Sequence, residues 1–417
     1  MLRERPISAT LLWCILGLVV IGLVMVYSAS YATISAKAAE RAAQQQQQAL
    51  VMGLEMAPPP PPDSAALFKK QVLAAIAGVL LLLLLACASY QRLRTLALPL
   101  LLLALAAQAL VLKFGTVVNG SRRWFDLGLF SFQPSEFTKF ALVLAGAALL
   151  SANRRWLRTP RGFAACAGVL VVFAGLIAWQ DLGTAVALVV GSMGLFLAAG
   201  AKLRHLALFS LIGLACATGL VVKEPYRFER IYAWLYPSKA SLEGAYQLTH
   251  CKIALGAGGL IGRGLCESRE KFAYLPAADT DCIFAILGEE TGLLGTLVVL
   301  GLFFAVGYLG TKAAQSAPDS FAALLAAGGV AMICGQATLN IAVVTGMVPT
   351  TGVPLPFISA GGSSLLFTLA SAGLILNVSR GGELIRPASL EALRTAGRSQ
   401  RRSSGQHRRH RAVGSER

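Results

Sequence analysis

Four carboxylates lie within one short stretch of this chain, where a long polar loop gives way to an apolar segment. Asp279 and Asp281 come just before the apolar residues, and Glu289 and Glu290 lie inside them. An ionised side chain at membrane depth is costly, so such residues usually belong to a working site. Two neighbouring acids also favour metal binding or raise the pKa of one partner. We therefore expect chemistry at the surface of a bilayer.

The composition of the chain is that of an integral membrane protein, so membrane-spanning helices must position these acids. Hydrophobic residues make up 56% of the 417-residue chain and charged residues 14%. Apolar runs of about 20 residues, each long enough to cross ~30 Å of hydrocarbon as a helix, recur along it. We predict an all-α polytopic membrane protein with about ten transmembrane helices, at residues 8–28, 71–89, 95–115, 136–152, 162–180, 182–200, 204–222, 282–310, 320–345 and 360–378.

Basic residues determine the predicted orientation. Lys and Arg number 37 against 20 Asp and Glu, and much of this surplus lies in alternate short connections and the tail. The positive-inside rule assigns those parts to the cytoplasm, so the charge does not indicate a nucleic-acid partner. Both termini are then cytoplasmic, and the loops at 30–70, 116–135, 223–281 and 346–359 face outward.

This orientation divides the chain into six parts, of which the large extracytoplasmic loop between helices 7 and 8 carries the acids. The parts are a first helix (1–30), a Gln-rich and Pro-rich outer loop (31–70), helices 2–7 (71–222), the large catalytic loop (223–281), helices 8–10 (282–379) and a basic cytoplasmic tail (380–417).

Low-complexity sequence and cysteines leave two questions open. Gln44–Gln48 and Pro58–Pro62 predict a disordered stretch followed by a polyproline II spacer, which is either a tolerated insertion or a docking site. The eight cysteines form no metal-ligand pattern. If the large loop is extracytoplasmic, a disulfide between Cys251 and Cys266 is one option, and free thiols are the other.

The large loop interleaves aromatic and charged residues. Aromatic side chains at a membrane interface explain much of this pattern. The alternative is a groove for a phosphorylated headgroup, with Arg227 and Arg230 as donors. The glycines of Gly256–Gly264 permit close backbone approach but lack the context of a nucleotide-binding fingerprint.

Polar residues also lie at the heads of two apolar segments. Glu136 and Lys139 are spaced i, i+3 and can form a structural ion pair or act in catalysis. Asp181 begins the sixth span, where the helix dipole favours a carboxylate, so capping and functional roles both remain open.

The segment Gly346–Ser364 breaks the helical pattern between the last two spans. Irregular backbone at membrane depth is tolerated only where it meets protein or a watery cavity. We therefore predict a cavity wall, with Gln336 and Asn340 of the preceding helix binding some of the freed backbone groups.

Together these segments resemble the SEDS family of shape, elongation, division and sporulation proteins, typified by FtsW and RodA. The resemblance covers about residues 8–380, and its motifs occur in the same order. They are Asn119–Trp124, Phe132–Lys139, Asp181–Ala185, Gly244–Gln247, Gly258–Gly264, Leu275–Glu290 and Gly346–Ser364, with Asn377–Arg380 ending the match.

The resemblance implies a peptidoglycan glycosyltransferase that polymerises lipid II on the outer face of the bacterial cytoplasmic membrane. The family's essential aspartate corresponds to Asp281, which would help remove a proton from the acceptor hydroxyl. It could instead hold a divalent cation, Mg²⁺ or Mn²⁺, together with Asp279. The expected substrate-binding or supporting residues are Arg122, Arg123, Glu136, Lys139, Asp181, Arg227, Arg230, Gln247, Lys252, Asp279, Glu289, Glu290, Ser359 and Ser363.

Three positions depart from the family pattern: Ala277 replaces a glutamate, Asp279 a histidine and Ala360 a tyrosine. An FtsW-like division polymerase is favoured over an elongation-type enzyme. The implied partners are a class B penicillin-binding protein, which supplies the transpeptidase, and divisome or elongasome proteins. A lipid II translocator and a weakened scaffold are the alternatives, although a transporter should place its essential ionisable groups nearer the midplane.

Overall fold

The protein is a bundle of membrane-spanning helices. The computed structural model describes residues 7–52, 66–118, 121–126, 128, 131–153, 155–237, 242–272 and 274–381. All ten predicted spans are helical; nine helices of this part are long and apolar enough to cross a membrane, and α6 is a shorter apolar helix. The helices are α1 (Ile7–Met52), α2 (Ala66–Cys87), α3 (Tyr90–Phe114), α4 (Pro134–Ala152), α5 (Pro160–Ala178), α6 (Leu182–Ala198), α7 (Leu203–Lys223), α8 (Pro225–Leu235), α9 (Leu242–Gly258), α10 (Ile283–Gln315), α11 (Ser320–Val344) and α12 (Gly362–Gly381).

The helix α1 continues well beyond the predicted first span. The prediction of a disordered stretch at Gln44–Gln48 is wrong, because these residues belong to α1. Residues 32–52 contain neither Gly nor Pro and are rich in Ala and Gln, which favour a helix. The predicted polyproline spacer and the basic tail after residue 381 lie outside the described residues.

The helix α10 is too long for a single straight crossing. Its 33 residues would extend about 50 Å, against ~30 Å of hydrocarbon. Gly292 interrupts it with a φ of 67° and a ψ of −165°. An outer segment, residues 283–291, therefore precedes the part that spans the membrane.

A small antiparallel sheet is the exception to the helical fold. Its strands are β1 (Thr116–Val118), β2 (Ser121–Asp126) and β3 (Ser131–Phe132), in the order β1-β2-β3. Val117 pairs with Arg122, and Phe125 pairs with Phe132. The motif read from sequence as an outer loop thus forms a hairpin at the end of the bundle.

Burial separates central helices from peripheral ones. Of the 18-residue apolar stretch of α12, 83% is buried inside the protein, against 17% of the corresponding stretch of α7. Lys139 of α4 donates to Glu136 at 2.7 Å and also to Gln336 of α11, so the predicted ion pair forms and joins two central helices. Both charges are buried, and this pairing reduces the cost of burying them.

Glycines let α9 lie against the outer segment of α10. A Cβ at Gly258 would overlap the carbonyl oxygen of Gly288, and one at Gly262 would overlap that of Glu290. The close approach predicted for Gly256–Gly264 is therefore present.

Replacing Gly258 with Ala should destabilise the protein by about 1–3 kcal/mol or more, because the added methyl has no room. Thermal denaturation of the detergent-solubilised protein measures this loss. Gly256→Ala is the matched control, since no atom lies within 4 Å of a Cβ there and Ala favours a helix. Equal melting temperatures for the two variants would contradict the packing argument.

Candidate active site

The connections predicted to face outward meet at one end of the bundle. Arg123 of β2 donates to Asp181 at 2.9 Å and to the carbonyl oxygen of Gln180 at 2.6 Å, joining the hairpin to the α5–α6 turn. Arg230 of α8 reaches the carbonyl oxygen of Thr350 at 3.5 Å. These bonds enclose the segment that carries Asp279 and Asp281.

The backbone at Asp281 is held by α11. Asn340 donates from Nδ2 to the carbonyl oxygens of Asp281 at 2.8 Å and Val353 at 2.7 Å. Gln336 donates to the carbonyl oxygen of Pro354 at 2.9 Å. The prediction that these two amides bind freed carbonyls is therefore confirmed, and Asn340 also fixes the position of the aspartate.

The loop between α11 and α12 completes the support. Ser359 donates to the carbonyl oxygen of Thr280 at 2.6 Å and accepts from the Leu355 amide at 2.7 Å. The amide of Ala360 donates to the carbonyl oxygen of Asp279 at 2.8 Å. Because Ala360 acts here through its backbone, this hydrogen bond does not depend on a tyrosine side chain.

Ser363 supports the hairpin rather than the aspartate. Its hydroxyl donates to the carbonyl oxygen of Ser131 at 2.6 Å and accepts from the Gln133 amide at 3.1 Å. Arg122, which is exposed, donates to the carbonyl oxygen of Lys113. Both are thus supporting residues of the sheet.

The environment of Asp281 weakens its acidity. Burial raises the pKa of Asp281 to about 6, with Asp181 and Asp279 adding to the rise and Arg230 and Arg123 opposing it. Residue 281 as a whole is partly exposed, whereas its carboxyl group is buried. Its Oδ2 would lie 3.4 Å from a Cβ at Gly352, where φ is 75°. The glycine therefore leaves open space beside the carboxylate.

Asp181 caps α6, the first of the two roles that the sequence left open, and its functional role stays a prediction. Its Oδ1 accepts from the Thr184 amide at 3.0 Å and so caps α6. Its Oδ2 binds Arg123, and its charge acts on Asp281.

The helix α8 presents its two arginines to the site. Arg227 lies 3.4 Å from the carbonyl oxygens of Ala178 and Trp179, on the same side as Arg230. On another face Phe228 stacks with Tyr232 at 6.4 Å between ring centroids. The aromatic side chains and the arginines thus lie on different faces of one helix, and a groove for a phosphorylated headgroup at Arg227 and Arg230 stays a prediction.

A cavity of about 300 Å³ lies between α8 and α9. Lys252 lines it and lies against Gly346, whose carbonyl oxygen accepts from Trp234 at 2.9 Å. On the same helix as Lys252, Gln247 donates to the sulfur of Cys282 at 3.2 Å. Lys252 thus lines the cavity, whereas Gln247 contacts the residue after Asp281.

Glu289 belongs to a hydrogen-bonded cluster that does not include the Asp281 side chain. It is fully buried and accepts from Arg263 at 3.2 Å, from the backbone amides of Arg269 at 3.0 Å and Glu270 at 3.3 Å, and from Ser268. It therefore anchors the loop that follows α9.

Glu290 anchors the same loop to α1. Lys271 donates to Glu290 at 2.8 Å and to Ser28 at 2.8 Å, and Ser28 also donates to Glu290. The sequence grouped both glutamates with Asp281, but their described bonds all lie in this supporting cluster. Sequence reasoning did not identify Lys271 or Ser28, because neither belongs to a polar motif that would mark it as a partner of Glu290.

Metal ligands and a disulfide were also considered from the sequence. In the ranges given above, no three His, Cys, Asp or Glu residues are grouped so as to hold a metal ion. The option of a Cys251–Cys266 disulfide is wrong, because Cys251 is buried against Cys282 whereas Cys266 is exposed.

The family model for the FtsW, RodA and SpoVE cell cycle proteins matches residues 62–383. Stage V sporulation protein E of Bacillus subtilis (strain 168) is 42% identical over 268 residues, which cover 64% of this chain and 73% of that protein. A probable peptidoglycan glycosyltransferase FtsW of Trichlorobacter lovleyi is 39% identical over 299 residues, covering 71% and 78%.

Two solved structures are similar over most of the chain. One chain of a peptidoglycan synthase complex that coordinates polymerization and crosslinking has a TM-score of 0.68 and 29% identity, covering 92% of this chain and 99% of that one. The rod shape determining protein RodA of Thermus thermophilus has a TM-score of 0.61 and 29% identity, covering 89% and 96%.

Proposed function

The chain belongs to the FtsW, RodA and SpoVE family of cell cycle proteins, and we propose that it polymerises lipid II with Asp281 as its catalytic carboxylate. It is a multi-pass protein of the bacterial inner membrane and a peptidoglycan glycosyltransferase. One observation carries the proposal: Asp281 is a partly exposed residue whose carboxylate has a raised pKa and whose backbone is held where the connections predicted to face outward meet.

The reaction requires a base beside the acceptor sugar. Asp281 takes the proton of the acceptor's GlcNAc 4-hydroxyl as that oxygen attacks the anomeric carbon of the donor's MurNAc. The bond from this carbon to undecaprenyl pyrophosphate breaks, and the pyrophosphate leaves with the electron pair. A base whose pKa lies near the working pH is effective because it is both ionised and able to accept a proton.

Positive charge near Asp281 supports a phosphorylated donor. Arg123 and Arg230 both act on the carboxylate, and the buried Nε of Arg123 has no partner among the described residues. A buried donor without a partner is costly until a ligand or water binds it. We propose that Arg123, Arg227 and Arg230 receive the pyrophosphate, and that Lys252 contacts it from the neighbouring cavity.

A divalent cation, Mg²⁺ or Mn²⁺, forms part of the proposal. Mg²⁺ commonly keeps several waters and is held by one or two carboxylates together with substrate phosphates. Asp279 fits such an open site, and Asp281 would join it as a ligand in the alternative in which Asp281 is not the base. The buried Oδ1 of Asn340, which lacks a partner in the described structure, is a further acceptor nearby. When bound, the cation would neutralise charge on the departing pyrophosphate.

The relatives favour a role in division or sporulation. Curated relatives at 37–42% identity include FtsW proteins and stage V sporulation protein E, whereas the RodA structure is 29% identical. We propose a division-type polymerase that works with divisome proteins rather than those of the elongasome. The similar chain in a peptidoglycan synthase complex supports a class B penicillin-binding protein as its crosslinking partner.

The direct test is polymerisation of purified lipid II by the purified protein with its cognate penicillin-binding protein and Mg²⁺. Moenomycin is included to silence unrelated polymerases. Glycan strands and released undecaprenyl pyrophosphate are the expected products. A folded, partner-bound protein that makes no polymer but moves lipid II across liposome membranes would support the translocator instead.

The rate of polymerisation should depend on pH through Asp281. Because its pKa is raised to about 6, the carboxylate is increasingly protonated below that pH. The rate should then fall roughly tenfold per pH unit, while it changes little above about pH 7. Initial rates between about pH 5 and 8 measure this profile.

The variant Asp279→Asn tests the assignment of this profile. It removes a charge that raises the pKa of Asp281, so the fall in rate at acid pH should begin at a lower pH. A fall in rate at the same pH as in the wild type would show that a group other than Asp281 sets the pH profile.

A further inference from the structure

Two cysteines meet beside the candidate catalytic residue. Cys251 is 3% exposed and Cys282, which directly follows Asp281, is 2% exposed. Cys282 is close enough to Cys251 to raise the pKa of its thiol. They come from different elements, Cys251 from the middle of α9 and Cys282 from the N-cap of α10.

The packing of α9 fixes this juxtaposition independently. Gln247, Cys251 and Leu255 are spaced four residues apart and so share one face of the helix. Gln247 bonds to the sulfur of Cys282, and Leu255 packs against Gly288. Cys251 lies between these two contacts and must therefore face the start of α10.

We propose that Cys251 and Cys282 form a reversible disulfide, a modification site that joins α9 to the Asp281 segment. The large loop is predicted to face the outer compartment, where disulfides persist more readily than in the cytoplasm. The bond would close a loop that contains the whole segment from Gly259 to Asp281, between α9 and the N-cap of α10. It would therefore hold the aspartate's neighbour to α9 covalently.

The chemistry is thiol–disulfide exchange with the disulfide of an extracytoplasmic thiol oxidoreductase. One cysteine sulfur first forms a mixed disulfide with the oxidoreductase, and the second displaces it. An S–S bond forms between Cys251 and Cys282. The two electrons and two protons that they lose convert the oxidoreductase disulfide to two thiols.

Peptide mapping of the full chain tests the site. Membranes are prepared without reductant, free thiols are blocked with N-ethylmaleimide in denaturant, and a parallel sample is first incubated with oxidised glutathione. A linked peptide pair bearing Cys251 and Cys282, separated by dithiothreitol, supports the proposal in either sample. Full alkylation of both cysteines in both samples overturns it.

Matched variants distinguish this bond from other pairings. Cys266→Ser removes the exposed thiol of the same loop and should leave the linked pair intact, whereas Cys251→Ser should abolish it. Reductant should also lower the melting temperature of the oxidised wild type by roughly 5 °C or more, but not that of Cys251→Ser. A linked pair between Cys266 and either buried cysteine would overturn the assignment.

Discussion

Replacing Asp281 with Asn should reduce polymerisation of lipid II by about 10²–10⁴-fold, the usual contribution of a general base. The amide has the size of the carboxylate but cannot take the acceptor's proton at neutral pH. Asn340 donates to the backbone carbonyl oxygen of residue 281. Because the substitution does not change this bond, the variant should keep its fold. Rates are measured with purified lipid II, and folding is checked by thermal denaturation and partner binding.

The neighbouring carboxylate provides the control for this loss. Asp279→Asn removes the same charge two residues away; because Asp279 is a proposed cation ligand, the variant should need more Mg²⁺ but keep most of the activity above about pH 7 once Mg²⁺ is saturating. An unchanged Mg²⁺ requirement would exclude Asp279 as a cation ligand. A folded Asp281→Asn variant that polymerises at the wild-type rate would exclude Asp281 as the base.

Replacing Lys271 with Met should produce the largest loss of stability, about 3–5 kcal/mol, because it leaves a buried charge without its partner. Lys271 and Glu290 are 2% and 0% exposed in their side chains, and Glu290 Oε2 already has no partner among the described residues. The melting temperature of the solubilised protein should fall accordingly.

Removing both charges tests whether the pair is the cause. The double variant Lys271→Met/Glu290→Gln should recover much of the lost stability, because no uncompensated charge remains. Lys312→Met, at the exposed C-terminal end of α10, should have little effect. A double variant no more stable than Lys271→Met would show that Lys271 acts through packing rather than charge.

Hydropathy and local spacing determined much of this fold. Each of the ten predicted spans is helical because a backbone in hydrocarbon must bond its own polar groups. The pair Glu136–Lys139 was predictable because residues three apart on a helix are neighbours. Gln44–Gln48 was wrongly predicted as disordered, since low complexity was given more weight than the helix-forming tendency of Gln and Ala.

The candidate site was only partly predictable. Asp281 was identified by resemblance and by its position before an apolar segment. Burial is the main cause of the raised pKa of Asp281, while Asp181 adds to the rise and Arg123 opposes it. Both of these residues lie about 100 residues or more away along the chain, and no sequence pattern specifies their distance from Asp281 in space. Asn340 was predicted to bind freed carbonyls, but its bond to Asp281 required the folded positions of α11 and the loop.

The sequence by itself determined the membrane class, the spans and the most informative aspartate, because these follow from composition, local periodicity and family motifs. Only the tertiary structure decided which polar residues act together. It placed Glu289 and Glu290 in the supporting cluster and set Cys251 against Cys282 rather than Cys266. The physical reason is that short-range bonds and charges act through space, and the packing of distant segments sets those distances.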